Sequence, residues 1–143
     1  MLIYTKYFIT IIIFGIFSNC NNDSSHTRDI ILYIRNDTNS ELLYYWIDDI
    51  GENRLAIQAN AKEKIFYSTD SYNNNNIHYS CAKLLTRFDS KLESDSFRIK
   101  KDIYNDELWD VFISKNGSKK AHSIEKYIFT VRKHNLVPKQ CKL

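Results

Sequence analysis

The chain consists largely of short runs of β-branched and aromatic residues that alternate with clusters of turn-forming residues. Residues 30–34 form such a run and precede the polar cluster 36–40, and residues 42–47 form the next run and precede the cluster 48–53. Short apolar runs between Asn, Asp, Ser and Gly are typical of strands, because a helix would show a longer pattern with a period of about 3.6 residues. The spacing of about five residues between the first two runs predicts a hairpin.

The same pattern continues through the rest of the chain. Trp109, Val111 and Ile113 share one face of a predicted strand, because side chains alternate along a strand. Seven or eight short strands with no long amphipathic helices between them indicate an all-β fold, a sandwich or a barrel, and we expect an antiparallel β-sandwich. Further strands are predicted at residues 64–68, 96–100, 109–114 and 127–132.

One part of the chain, residues 77–92, fits two kinds of secondary structure. Its β-prone beginning favours a strand that runs from residue 77 to about residue 85. Leu84, Leu85, Phe88 and Leu92 lie at helical spacing, so a short helix near residues 82–92 is the alternative.

The N-terminus has the features of an export signal. Lys6 precedes the uncharged run 7–18, which is followed by Cys20 and a polar stretch. A charged start, an apolar run of about 12 residues and a small-residue exit are typical of a secretory signal peptide. The run is too short for a membrane-spanning helix, which needs about 20 apolar residues.

The residues Phe17-Ser18-Asn19-Cys20 resemble the lipobox of bacterial lipoproteins. Phe17 and Asn19 depart from the usual Leu and Gly or Ala, as in the relaxed boxes of Bacteroidota and spirochaetes. The resemblance implies cleavage before Cys20 and acylation of its thiol with chains such as palmitate, which would hold the protein on the outer membrane outside the cytoplasm. The alternatives are an ordinary signal peptide with an incidental cysteine, or an uncleaved anchor.

This interpretation divides the chain into a signal peptide at 1–19, a flexible tether at 20–28 and one domain at 29–143. The chain also resembles small uncharacterised lipoproteins of Bacteroidota. The features that carry this resemblance are the lipobox, the turn at 34–38, Trp109 and the strand 127–131. That resemblance implies an immunoglobulin-like β-sandwich and supplies no active site.

Two cysteines remain once Cys20 carries lipid. Cys81 and Cys141 are an even number in an exported chain, which predicts a disulfide. Such a bridge would close a loop of about 60 residues and stabilise the fold by up to about 4 kcal/mol. The alternative is two unpaired thiols, because a bridge requires a short Cα separation.

Charge and motifs argue against several classes of function. Removal of residues 1–19 takes away one lysine and no acid, which lowers the formal net charge from +3 to +2, with both signs interspersed. We therefore expect no nucleic-acid partner. The sequence contains no phosphate loop, nucleophile elbow or zinc motif, so we expect no enzyme, cofactor or metal. The four histidines are scattered: His26, His78, His122 and His134.

The strongest candidate for ligand binding is the consecutive aromatic triplet Tyr44, Tyr45 and Trp46. Neighbours in a strand point to opposite faces, so at least one ring faces outward and offers a surface on which sugars stack. The alternative is that the outward ring packs under a loop. Asp48, Asp49 and Glu52 nearby form either a weak cation site or a solvated turn.

The sequence therefore predicts a lipid-anchored cell-envelope protein that acts as a non-enzymatic binding or structural module. An inhibitor or immunity-type lipoprotein that captures a protein partner is the alternative. A carbohydrate-binding or hydrolytic module ranks third. The expected partners are the membrane, through the N-terminal lipid, and a protein or glycan ligand.

Overall fold

A computed structural model describes residues 26–72, 79–115 and 122–139. These residues are mainly in strands, with one short helix, so the all-β prediction is confirmed at that level. The helix α1 spans Cys81–Arg87, and two 3₁₀ turns span Asp106–Leu108 and Lys133–Asn135. The strands are β1 (His26–Asp37), β2 (Leu42–Asp48), β3 (Gly51–Ile57), β4 (Lys62–Tyr72), β5 (Lys91–Glu93), β6 (Phe97–Ile99), β7 (Trp109–Lys115), β8 (His122–Arg132) and β9 (Leu136–Pro138).

The strands form open sheets around one core, an arrangement consistent with a sandwich. The largest sheet has the order β4-β1-β8-β7, the second has the order β3-β2-β5, and β6 pairs with β9. The antiparallel prediction is correct for every described pair except β1 and β8, which run parallel from Thr27 opposite His122 to Asp37 opposite Arg132. A hydrophobic pattern of period two does not encode strand direction, so the sequence held no signal for this pair.

The core lies between the two larger sheets and α1. On β1, Ile30, Leu32 and Ile34 are buried while their neighbours are less so, which is the alternation expected of a half-buried strand. The rings of Trp109 and Phe129 pack 5.3 Å apart across β7 and β8. Complete burial of one such side chain stabilises the fold by about 1.5–3 kcal/mol.

The predicted hairpin between β1 and β2 is wrong, because these strands belong to different sheets. The buried side chain of Asn36 fixes the corner between them. Its Nδ2 group donates to the backbone carbonyls of Ser40, Ile57 and Gln58 at 2.8, 2.9 and 3.1 Å. Its Oδ1 accepts from the backbone N–H and the hydroxyl of Thr38 at 3.1 and 2.7 Å. Residue spacing predicts a turn there and does not reveal this network.

Among the described residues 79–92, a helix at 81–87 stands where the strand at 77–85 was favoured, so that strand is wrong and the helix alternative near 82–92 is correct for its first half. Ser80 caps α1, since its Oγ accepts from the backbone N–H of Lys83 at 3.2 Å. Cys81 and Leu85, four residues apart, are the buried residues of the helix. The helical spacing of Leu84, Leu85 and Phe88 was therefore the correct signal and β-propensity the misleading one, whereas Leu92 lies in β5.

The tether boundary also requires correction, because β1 begins at His26 and includes the last three residues assigned to the tether. Arg28 is buried there, with Nη2 3.0 Å from Asp70 Oδ2 and Nη1 3.7 Å from Glu125 Oε1. The polar composition of residues 26–28 suggested a linker, because the sequence around Arg28 does not show its distant partners. The predicted signal peptide, Cys20 and Cys141 lie outside the described residues. Within the described ranges, no helix is long and apolar enough to cross a membrane.

Candidate functional site

The aromatic triplet lies on β2, the central strand of the three-stranded sheet β3-β2-β5. Tyr44 and Trp46 share one face, with ring centroids 5.5 Å apart and planes 21° apart. Tyr44 is buried, and its hydroxyl lies 2.9 Å from Ser90 Oγ. Tyr45 points to the opposite face. The alternation predicted for the triplet is thus confirmed, and its role in ligand binding stays a prediction.

An apolar cleft of about 180 Å³ opens beside Trp46, between β2, β4 and α1. The rings of Phe66 and Phe88 form part of its wall, with centroids 6.2 Å apart. The backbone N–H of Ile47 donates to the carbonyl of Phe88 at 2.7 Å and ties β2 to the end of α1. The other apolar residues that line it include Tyr44, Ile65 and Leu84.

Among the described residues that line this apolar cleft, Asp48 supplies the one carboxylate. Its Oδ1 accepts from the backbone N–H groups of Ile50 and Gly51 at 2.9 and 3.2 Å. The hydrogen bond from Ile50 is the main reason why the pKa of Asp48 lies below its usual range, so the group is charged at neutral pH. Gly51 permits this turn, because its φ of +138° is one that other residues rarely adopt.

A second cleft, of about 270 Å³, lies on the outer face of the same sheet, and we call it the acidic cleft. Tyr45 lies opposite Lys91, and Ile47 lies opposite Glu52, so these side chains share one face. The lining residues are Tyr45, Trp46, Ile47, Glu52, Asp89, Lys91 and Glu93. Three carboxylates therefore face one amine, and Lys91 Nζ is already 3.9 Å from Asp89 Oδ2. Trp46 lines both clefts.

The structure separates the acidic residues that the sequence grouped as a weak cation site. Asp48 lines the apolar cleft, and Glu52 lines the acidic cleft. Across the described ranges, no three His, Cys, Asp or Glu side chains are grouped so that they could hold a metal ion. The sequence did not indicate Asp89 and Glu93 as site residues, because Asp89 lies in the turn before β5 and β5 itself is too short to show a pattern.

The sequence also did not indicate a polar cluster that lies on the outer face of the four-stranded sheet. Parallel pairing of β1 with β8 brings Thr27 beside His122, whose Nδ1 lies 2.9 Å from Thr27 Oγ1. His122 Nε2 lies 3.1 Å from Asp29 Oδ2, and Thr69 donates to Asp29 Oδ1 at 2.8 Å. The hydrogen bond from Thr69, with a smaller effect of His122, lowers the pKa of Asp29. This hydroxyl–imidazole–carboxylate chain lines neither cleft.

Cys81 is buried at the start of α1 and has no disulfide partner among the described residues. Burial raises the pKa of this thiol to about 12, which leaves almost no thiolate at neutral pH. Such a group is chemically inert while the protein stays folded. Because Cys141 lies outside the described residues, the disulfide between the two stays a prediction.

The last surface feature is the strand β7, which forms one edge of the larger sheet. Of the face that Trp109, Val111 and Ile113 share, only Trp109 is buried. Val111, Phe112 and Ile113 are 49%, 56% and 58% exposed. These three residues are called the β7 edge below. An apolar edge strand with free backbone groups on one side is a template for pairing with another chain.

Comparison with known proteins adds no assignment, since no family model matches the chain and no curated protein or solved structure is significantly similar to it.

Proposed function

We propose that this chain is a lipid-anchored protein of the bacterial cell envelope whose immunoglobulin-like β-sandwich domain binds a ligand, without catalysis, at the two clefts beside Trp46. The observation that carries the binding role is the position of Trp46, which lines an apolar cleft on one side and an acidic cleft on the other. A concave site with aromatic walls and a few charged groups is the usual form of a small-ligand site.

Support for the anchor comes from the charged start, the apolar run and Cys20. Because β1 begins at His26, five residues separate it from Cys20, and this stretch can span at most about 20 Å. An acylated Cys20 would therefore keep the domain close to the membrane surface. Two or more acyl chains hold a protein there stably, whereas a single short chain does so only marginally.

The anchor is tested by metabolic labelling of the full-length chain with a palmitate analogue. We expect the wild type to be labelled and the Cys20→Ser variant to lose all label. Cys81→Ala is the matched control and keeps its label, because Cys81 is buried in the fold. Label that persists in Cys20→Ser, or processing unchanged by an inhibitor of lipoprotein signal peptidase, would contradict the anchor.

The binding role is tested with the same chain immobilised and exposed to an envelope extract. Material that binds at the clefts should be retained by the wild type and lost from Trp46→Leu, which keeps an apolar side chain but removes the ring. Tyr67→Leu is the control, because Tyr67 is an exposed aromatic residue of β4 that lines neither cleft. Equal retention by all three proteins would refute ligand binding at Trp46.

A second candidate function is that of an inhibitor or immunity-type lipoprotein that captures a protein partner. The exposed β7 edge favours it, because an extended segment of another protein can add a strand to such an edge. Phe112→Lys should abolish capture of a protein from envelope extract, whereas Trp46→Leu should not. If Phe112→Lys captures as much protein as the wild type, this role is wrong.

A further inference from the structure

We propose that the ligand at Trp46 carries a positively charged amine or guanidinium at the end of an apolar stem. The inference rests on the proposed function, since it names the chemistry of the ligand at the same clefts. Three observations lead to it: the small size of the apolar cleft, the sign of the charges around it, and the separation of those charges from one another.

The apolar cleft fixes the size and polarity of the stem. Its volume of about 180 Å³ is below the roughly 300–1,000 Å³ of sites for drug-sized molecules, so it suits a short chain of carbon atoms. Phe66, Phe88 and Leu84 supply apolar walls that favour such a chain over a polar ligand. Each methylene buried there should raise affinity about fourfold.

The charges around the clefts fix the sign of the head group. Asp48 is the carboxylate of the apolar cleft, and Glu52, Asp89 and Glu93 outnumber Lys91 in the acidic cleft. A head group whose stem lies in the apolar cleft meets Asp48, which attracts a cation and repels an anion, whereas the carboxylates of the acidic cleft lie on the other face of the sheet and act at longer range. The face of an indole ring also attracts a cation within about 6 Å. Arg54 lies opposite Tyr45 on β3 and does not line either cleft.

The arrangement favours an organic cation over a metal ion. Hard metal cations need several oxygen ligands that converge on one point. The described part of the chain offers no such group of three, and one oxygen of Asp48 already accepts two backbone N–H groups. A cation on an apolar stem needs only one nearby carboxylate and also uses the apolar walls.

The test compares three probes with the same stem and different head groups: hexylamine, hexanol and hexanoate. The full-length chain with Trp109→Phe leaves Trp46 as its one tryptophan, so fluorescence reports on the clefts. We expect hexylamine to bind at least tenfold more tightly than hexanol, and hexanoate to bind most weakly. If Trp109→Phe does not fold, the indole N–H resonance of Trp46 in the wild type replaces fluorescence as the readout.

Asp48→Asn is the variant that isolates the charge, because the amide oxygen can still accept from the N–H groups of Ile50 and Gly51. We expect it to weaken hexylamine binding about tenfold and to leave hexanol binding unchanged. Asp110→Asn is the matched control, since Asp110 is an exposed carboxylate on β7 that lines neither cleft, and it should change neither affinity.

A lysine-containing peptide distinguishes a cation on a protein side chain from a free amine. Tighter binding of the tripeptide Ala-Lys-Ala than of hexylamine would assign the site to a side chain of a protein, and the reverse would assign it to a free amine. Equal affinity for hexylamine and hexanol, tighter binding of hexanoate or of methyl glucoside, or no binding of any probe would overturn the inference. Retention of envelope material that depends on Trp46 would still support the proposed function in each of those cases.

Discussion

At the scale of single residues, Asn36 shows how one buried polar side chain can determine the path of the chain. Its amide group satisfies three backbone carbonyls and accepts two hydrogen bonds from Thr38, at the point where the chain leaves one sheet for the other. A buried carbonyl that loses its partner destabilises the fold by about 1–3 kcal/mol.

We therefore expect Asn36→Ala to lower the free energy of unfolding by roughly 3 kcal/mol or more, because several buried carbonyls lose their donor at once. Urea unfolding followed by circular dichroism measures the change. Asn39→Ala is the control, since Asn39 is exposed in the same turn, and it should change stability by less than about 0.5 kcal/mol. Equal effects of the two substitutions would show that the amide network does not stabilise the corner.

Three weakly acidic side chains, which lie in the core or pack against it, predict a loss of stability at alkaline pH. Burial raises the pKa of Cys81 and of Tyr79 to about 12, and it also raises the pKa of Tyr127, whose hydroxyl donates to Glu125 at 2.7 Å. These groups deprotonate at lower pH in the unfolded chain than in the folded one. Their contribution is complete below the unfolded pKa values and is lost as pH rises through the folded values.

The urea midpoint should therefore fall steadily from about pH 9 towards pH 12. Cys81→Ala should make this fall shallower, since one of the buried acids is gone, even if the variant is less stable at pH 7. A midpoint that stays constant up to pH 11 would mean that these three groups are not buried as described.

At the scale of elements, the sequence was informative where local rules decide and silent where distant residues decide. The short apolar run at residues 30–34 correctly predicted a strand there, and the helical spacing of Leu84, Leu85 and Phe88 correctly indicated α1. The parallel pairing of β1 with β8, the corner at Asn36 and the start of β1 at His26 depend on residues far apart in the chain. No local pattern could show them.

In the candidate site, too, local patterns were informative and contacts between distant residues were not. Strand alternation was enough to place Tyr45 on the face opposite to Tyr44 and Trp46. The clefts themselves depend on β4, α1 and β5, which pack against β2 from other parts of the chain. For this reason, the sequence did not indicate that Phe66, Phe88 and Glu93 line the clefts.

The helix α1 depends on its cap, which can be tested. Ser80 Oγ accepts from Lys83 N–H and donates to Asp106 Oδ2 at 2.7 Å, and Asp106 Oδ1 accepts from Ala82 N–H at 2.8 Å. We expect Ser80→Ala to lower the free energy of unfolding by about 1 kcal/mol, which is typical for the loss of a cap. Ser96→Ala, at an exposed serine outside the helix, should have almost no effect in the same urea experiment.

At the scale of the whole molecule, the two edges of the larger sheet differ in a way that bears on its partners. The β4 edge begins with the exposed charged residues Lys62, Glu63 and Lys64, and charge protects an edge from pairing with another chain. The β7 edge presents Val111, Phe112 and Ile113 instead. Pairing with another chain is therefore favoured at β7 over β4.

Phe112→Lys should reduce self-association without lowering the free energy of unfolding. Phe112 is 56% exposed, so its replacement should change the free energy of unfolding by less than about 0.5 kcal/mol. Loss of the apolar edge should also clearly reduce binding of a hydrophobic dye and self-association at high concentration, measured by light scattering. Tyr67→Lys, which removes a 55% exposed ring from β4, is the matched control and should leave self-association unchanged. If Phe112→Lys unfolds the domain, or if both variants reduce self-association equally, β7 is not the unprotected edge of this sheet.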